Sequence, residues 1–363
     1  MTHPTETRLA RLRARMDATG TDLIALAPGA HLRWLMGFAP AGDERPCFLL
    51  IGQDSAGWLM PALNADDARQ HTDLPFWDWR DEDGPAQALD RALLAIAPHR
   101  RRIALDETMR ADAAFLLSDT SANATRVFTA DTIGALRMRK DADELAILRA
   151  NARTGDAAQR AVRAALRDGV SERDLAEVAN AAFTAMGARP AFGIVGAGSN
   201  GAFPHHHTGD TVIRPGQPIV VDIGGTLDGY YSDITRMCVL DHAPEGYAEV
   251  HSVVDAAVQA AMAAARPGAL ARDIDAAART VITEAGYGAF FPHRTGHGLG
   301  SEIHEPPYMT ATSDTVLEEG MVFTIEPGIY LPGRFGIRLE EVAVITSTGM
   351  EILSSLSRDL HIG

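Results

Sequence analysis

The sequence predicts two domains, an α/β domain over residues 1–132 and a larger α+β domain over 133–363. Three observations lead there. A chain of 363 residues, 46% hydrophobic and 22% charged, has the composition of a globular protein with material for two cores. Short apolar runs alternate with helix-like stretches through the first third. Beyond a change of composition at Ile133–Lys140, Ala-rich amphipathic stretches accompany two β-like hairpins that each carry a pair of carboxylates.

In chain order, Leu9, Leu12 and Met16 fall at helical spacing and Gly20 stops the run, which predicts a first helix over 6–19. Apolar runs at Leu23–Ala27, Cys47–Ile51, Trp58–Met60 and Ile103–Leu105 read as strands, with a helix at Ala86–Ile96 among them. The cluster Phe76-Trp77-Asp78-Trp79 reads as core or interface, and this domain shows no catalytic constellation. After the connector, Asp141 or Asp143 is positioned to cap a long helix whose apolar stripe is Leu145, Ile147, Leu148 and Ala152. Ser171-Glu172-Arg173-Asp174 has the form of a capping box, opening a helix that runs to about Met186 and stops at Gly187. Two further helices are expected near 244–265 and 271–285, the first halted by Pro267-Gly268. These helices are expected to back the sheet that carries the carboxylates.

The stretch Val220–Arg236 reads VVDIGGTLDGYYSDITR. Asp228-Gly229 is a strong hairpin signal, and Asp222 and Asp233 lie in the runs on either side of it. Two carboxylates where strands bury apolar side chains read either as turn-capping aspartates or as ligands of a shared cation. The pattern recurs downstream, where Glu326 in VFTIEPG and Glu340 in GIRLEEV flank a Pro/Gly-rich turn. His297, in TGHGLG, adds an imidazole. Four carboxylates and one imidazole suit two adjacent divalent ions such as Mn²⁺, Co²⁺ or Zn²⁺, whereas a thiolate-rich zinc site needs cysteines the chain lacks. Such a pair of ions activates water and polarises a carbonyl.

In this order, DIGG-x7-SDITR, TGHGLG-x3-HE-x-P, TIEPGIY and GIRLEE resemble the signatures of the creatinase-like metallopeptidase family, in particular Xaa-Pro dipeptidase (prolidase) and aminopeptidase P. The likeness covers roughly residues 138–363, and the first third fits the family's smaller domain in length and position. It implies a "pita-bread" catalytic domain and two metal ions, with Mn²⁺ the leading choice, held by Asp222, Asp233, His297, Glu326 and Glu340. It further implies hydrolysis of the Xaa-Pro bond in dipeptides or short peptides by a metal-bridged hydroxide, in a homodimer. On the same resemblance Glu326 is the proton shuttle, and His304 steadies the tetrahedral intermediate. His205, seventeen residues before Asp222, binds substrate. Arg338 orients Glu340 or holds substrate, and Tyr330 donates to the developing oxyanion. One position departs from the pattern. Some prolidases have an arginine four residues after the equivalent of His304, where this chain has Tyr308; Arg334 or Arg294 is then a candidate for the substrate carboxylate.

A formal net charge of −15 argues against nucleic acid and anionic membranes as partners. Two cysteines, Cys47 and Cys238, suggest no disulfide framework, and the opening segment MTHPTETRLARLRARM has no apolar core, so the expectation is cytoplasmic. The rival readings are aminopeptidase P acting on longer peptides, a non-peptide C–N hydrolase or lyase on this fold, and a catalytically inactive binding protein.

Overall fold

In the first unit, apolar four-residue runs give a sheet buried on both faces. The computed structural model describes residues 4–363; the opening segment read for a leader begins at residues 1–3, outside the described residues. Strands β1 (Leu23–Leu26), β2 (Phe48–Ile51), β3 (Ala56–Pro61), β4 (Phe76–Trp79), β5 (Arg102–Leu105) and β6 (Thr125–Phe128) form a mixed sheet in the order β4-β3-β2-β1-β5-β6. β1 runs parallel to β5 and antiparallel to β2. Because strand side chains alternate, Ile24 and Leu26 pack against Leu12 and Met16 of the helix Pro4–Thr19. Leu23 and Ala25 face the other way, onto Leu89 and Leu93 of the helix Ala86–Ile96. The aromatic cluster is strand β4, with Trp79 buried and Phe76 stacked on Trp58 at 6.3 Å, so it serves the core.

The chain divides by contacts into a unit ending at Arg137 and a second, Met138–Gly363. In the second, Asp141 caps the helix Ala142–Ala165 by accepting from the amides of Asp143 and Glu144, which leaves Asp143 inside the first turn. Ser171 and Asp174 form the reciprocal capping box of the helix Glu172–Ala185. The remaining strands are β7 (Arg189–Ala197), β8 (Pro218–Leu227), β9 (Tyr230–Tyr231), β10 (Ile234–Val239), β11 (Gly296–Gly298), β12 (Glu305–Met309), β13 (Val322–Ile325), β14 (Gly328–Leu331), β15 (Phe335–Arg338), β16 (Glu341–Ile345), β17 (Met350–Ile352) and β18 (His361–Ile362).

They make two similar halves. One sheet runs β18-β10-β8-β7 with β9 on β8; the other runs β12-β11-β13-β16-β17, with β14 and β15 as a separate ribbon. The first helix pair packs Ala158, Val162, Leu175 and Phe183 onto Val195, Val221 and Ile223. The second pair, Tyr247–Ala264 and Ala271–Glu284, packs Val254, Val258, Ile274 and Ile282 onto Phe323, Ile325 and Ile337. Ala257, Ala261 and Ala265 are buried in that second core, so the Ala run serves close helix packing. Among the described residues no helix is long and apolar enough to cross a membrane.

Candidate metal centre

Each half contributes a hairpin that delivers its carboxylates. Asp228 and Gly229 have φ of 48° and 83°, the left-handed pair that a two-residue hairpin turn demands, and Leu227 pairs with Tyr230 across it. On the facing strands Asp222 lies opposite Thr235, two residues after Asp233. Asp233 itself sits just ahead of β10 rather than within it. In the other half β13 pairs with β16 and β14 with β15, and Glu326 and Glu340 occupy the two crossing points between those ladders. They therefore stand at the same level.

His297 is carried on the short β11, between Gly296 and Gly298. These glycines have a steric reason: a Cβ at Gly296 would collide with the Thr324 carbonyl, and one at Gly298 with the Glu305 and Pro306 carbonyls. The glycines let β11 sit tightly between β12 and β13, which fixes where the imidazole points. Its backbone amide donates to Thr324 Oγ1 at 3.0 Å, and that hydroxyl donates to Glu326 Oε1 at 3.0 Å.

The five predicted ligands converge. His297 Nε2 lies 3.1 Å from Glu326 Oε1 and 3.8 Å from Asp233 Oδ2. Donor atoms of Asp233, His297 and Glu340 all lie within 4.8 Å of one another. Asp222, Asp233, His297, Glu326 and Glu340 line one cleft of about 690 Å³.

Electrostatically the cluster is unbalanced. Burial and then the neighbouring Glu340 and Asp222 push the Asp233 carboxyl well above its ordinary range. Burial, with Glu326 and Asp222, does the same to Glu340. Burial opposes ionisation of Glu326 too, yet its hydrogen bond with His297 and the nearby His293 and Arg338 bring it down to about 2. Asp222 Oδ1 and Glu340 Oε1 are buried and have no hydrogen-bond partner among the described residues. Orphaned carboxylate oxygens beside like charges are what a bound cation satisfies, so this donor set fits divalent ions.

Around the cluster the expected helpers occupy different stations. Arg338 pairs with Asp222 of the opposite sheet, not with Glu340, and donates to Tyr330 Oη at 2.7 Å and to the Pro204 carbonyl at 3.3 Å. Thr235 links Arg338 and Glu340, its hydroxyl accepting from Arg338 Nε at 3.4 Å and donating to Glu340 Oε2 at 2.8 Å. Tyr330 was expected to donate to an oxyanion. It is 4% exposed, its hydroxyl is engaged by Arg338 and lies 2.8 Å from His293 Nε2, and burial pushes it up to about 12. It stands behind the cleft wall.

His304 lines the cleft with its ring 4.1 Å from that of His297, and desolvation, followed by the charges of His297 and Arg294, lowers its imidazole to about 4. Of the three consecutive histidines, His205 lines the cleft. His206 is tied to buried Glu172 at 2.9 Å. Arg294 is on the cleft wall, whereas Arg334 lies elsewhere, donating to the Glu245 carbonyl.

Sequence reasoning missed several members. His293 lines the cleft four residues before His297, with its imidazole lowered by burial. Phe192, Ile194, Tyr231 and Ile303 supply an apolar wall. Fully buried Arg236 donates to the Glu340 carbonyl and to Glu341 Oε1 at 3.0 Å, anchoring the backbone behind the cluster. The arginine was visible in the SDITR run; its partners, more than a hundred residues away, were not.

The sequence matches Metallopeptidase family M24 over residues 146–347 and the Creatinase/Prolidase N-terminal domain over 8–139. The chain belongs to metallopeptidase family M24. It is 36% identical over 360 residues to a "probable dipeptidase PepE" of Mycobacterium tuberculosis, covering 97% of this chain and 95% of that one. It is 31% identical over 355 residues to an "Xaa-Pro dipeptidase" of Pyrococcus furiosus, covering 97% and 99% of the two chains. The crystal structure of dipeptidase PepE from Mycobacterium ulcerans superposes with a TM-score of 0.94 at 35% identity, over 99% of this chain and 98% of that one. The fold is thus the expected pita-bread catalytic domain with a creatinase-type N-terminal domain. Family membership also implies divalent metal ions.

Proposed function

We propose that this M24 protein hydrolyses the Xaa-Pro bond of dipeptides. The observation that carries the reading is the buried convergence of Asp222, Asp233, His297, Glu326 and Glu340, with two carboxylate oxygens unpartnered. Relatives that match nearly the whole chain bear the names dipeptidase and Xaa-Pro dipeptidase. These five residues would hold a pair of divalent ions, Mn²⁺ suiting an oxygen-rich set with one imidazole and Co²⁺ or Zn²⁺ being alternatives. When bound, such ions activate water and polarise the scissile carbonyl.

The chain's own groups do the rest. Glu326 takes the proton of the attacking water and passes it to the prolyl nitrogen as that bond breaks. His304, held neutral at the cleft wall, donates to the oxygen that gains charge, and His205, lining the same cleft, borders the substrate. Arg338 neutralises Asp222 and, through Tyr330 and His293, is fixed in place. All these residues fall in the domain 133–363, to which we assign catalysis, with 1–132 as the N-terminal domain. A cytoplasmic homodimer completes the reading. Cys47 and Cys238 are both free thiols and buried, in keeping with a reducing setting. Exposed Leu63, Leu94, Phe115 and Phe128 offer the first unit apolar surface for a second copy.

The test is hydrolysis of Ala-Pro and Ala-Pro-Ala side by side with Mn²⁺ supplied. Cleavage of the dipeptide alone is expected. Cleavage of the tripeptide would make the protein an aminopeptidase P, and metal-loaded protein that cuts neither would move the assignment to a non-peptide substrate.

A further inference from the structure

His304 is given a proton to donate, yet its own side chain is not tied down. Among the described residues no hydrogen bond or ion pair reaches its ring, and its ring contact is with His297, 4.1 Å away. The direction of such a side chain is set by the backbone that carries it. What fixes residues 299–305 therefore fixes the imidazole.

The next residue is Glu305, the acid of the HE pair, which takes no part in the carboxylate cluster. Its Oε1 accepts from Lys140 Nζ at 2.7 Å, and the two side chains are 4% and 1% exposed. Its Oε2 accepts from the backbone amide of Glu302 at 3.2 Å, which closes the short loop ending at His304. A Cβ at Gly300 would collide with Glu305 Oε1 and Lys140 Cε, so the glycine admits the pair. Lys140 is anchored in turn. Its amide donates to the Gly320 carbonyl at 2.8 Å, just ahead of β13, and a Cβ at Gly320 would strike the Lys140 carbonyl. The start of the loop is held by the Leu299 amide on the Val322 carbonyl at 3.2 Å and the Tyr231 amide on the Gly300 carbonyl at 2.8 Å. A buried ion pair often adds little stability over apolar groups of the same volume, but a short charge-assisted bond fixes direction.

We propose that Lys140, through its buried pair with Glu305, is a positioning residue that aims His304 into the cleft. The inference rests on the role given to His304 above and names what holds that side chain in register.

The test is a cycle of four metal-loaded proteins: wild type, Lys140→Met/Glu305→Gln, His304→Ala, and all three substitutions together. Changing both partners avoids stranding a buried charge, and the glutamine keeps an acceptor for the Glu302 amide. The paired variant should lose ~10–100-fold in kcat on Ala-Pro, the effect of a misplacement of about 1 Å, with KM and bound metal nearly unchanged. In the His304→Ala background the same pair of changes should alter residual kcat by no more than about twofold. An equal loss in both backgrounds would mean a merely structural role, and an unchanged kcat in the paired variant would mean none; either overturns the proposal. If the paired variant does not fold, Glu305→Gln alone carries the same comparison. Histidine-ring NMR of Zn²⁺-loaded protein reads the placement without substrate. The ε1-CH signal that His304→Ala deletes should move toward that of a solvated imidazole in the paired variant, and a signal that stays put contradicts the proposal. A wild type that cleaves no Xaa-Pro peptide defeats the functional reading alone, since the ring signal still tests the pair.

Discussion

Glu340 shows most directly how single residues are committed to a cation. It is 1% exposed, one oxygen is held by Thr235, the other has no hydrogen-bond partner among the described residues, and burial with like charges raises its carboxyl well above the ordinary range. A carboxyl whose folded value is raised binds more protons folded than unfolded, so its stabilising contribution is present at low pH. That contribution is lost as pH rises from the unfolded value of about 4.3 toward the folded one. Metal-free Glu340→Gln protein should therefore be at least as stable as metal-free wild type at neutral pH, and its stability should fall less on going from pH 5 to pH 7. Ion binding should add about 2.7 kcal/mol to wild type at a hundredfold excess over Kd and little to the variant. Denaturant titrations with and without Mn²⁺ check both, and a variant that loses stability without metal would contradict the account. The ligand residues were legible in the sequence because carboxylates in apolar β-like runs are anomalies. Thr235, Thr324 and His293 were not, since a threonine in a strand or a histidine in a loop is ordinary until its partner is known.

At the scale of elements, the hairpin of Asp228-Gly229 and the capping boxes were readable because each signal is local. The tight seat of β11 was not, because it depends on carbonyls of β12 and β13 that reach it only in the fold. Gly298→Ala places a methyl group against the Glu305 and Pro306 carbonyls and should cost roughly 1–3 kcal/mol or more, with metal affinity falling as His297 moves. A variant with unchanged unfolding midpoint and metal content would show that β11 tolerates displacement. The helix Glu172–Ala185 is fastened differently. Burial would raise the Glu172 carboxyl, but the amides of Ala197 and Gly209, the Asn200 amide group and His206 hold it below its usual range. Stability from this cluster is thus fully present above the unfolded value and is lost as pH falls through the lower folded one. Glu172→Gln should destabilise at pH 7 by about 1–3 kcal/mol and narrow the gap to wild type in acid. An equal gap at pH 3 and pH 7 would contradict it. Strands β6 and β7 escaped the sequence reading because exposed residues break the apolar runs that mark β1 or β5, and β4 because its half-buried Phe76, Trp77 and Asp78 read as a cluster rather than a strand.

For the whole molecule, two halves of similar build each contribute a carboxylate pair, and neither half can assemble the cluster alone. Asp222 and Asp233 come from one sheet, and His297, Glu326 and Glu340 from the other. The order of the motifs along the chain was enough to anticipate this arrangement. Which cation serves which carboxylate was not, because Arg338 reaches across to a residue 116 positions away. Hydrolysis of the Xaa-Pro bond by this protein should therefore depend on ions held between those halves. The direct test is to strip the protein with chelator, titrate Mn²⁺ back, and follow bound metal and Ala-Pro hydrolysis on the same samples. Activity should vanish on stripping and return in step with the ions bound, reaching its plateau at about two per chain. Hydrolysis that survives complete removal of metal, or full occupancy with no Ala-Pro cleavage, would contradict it.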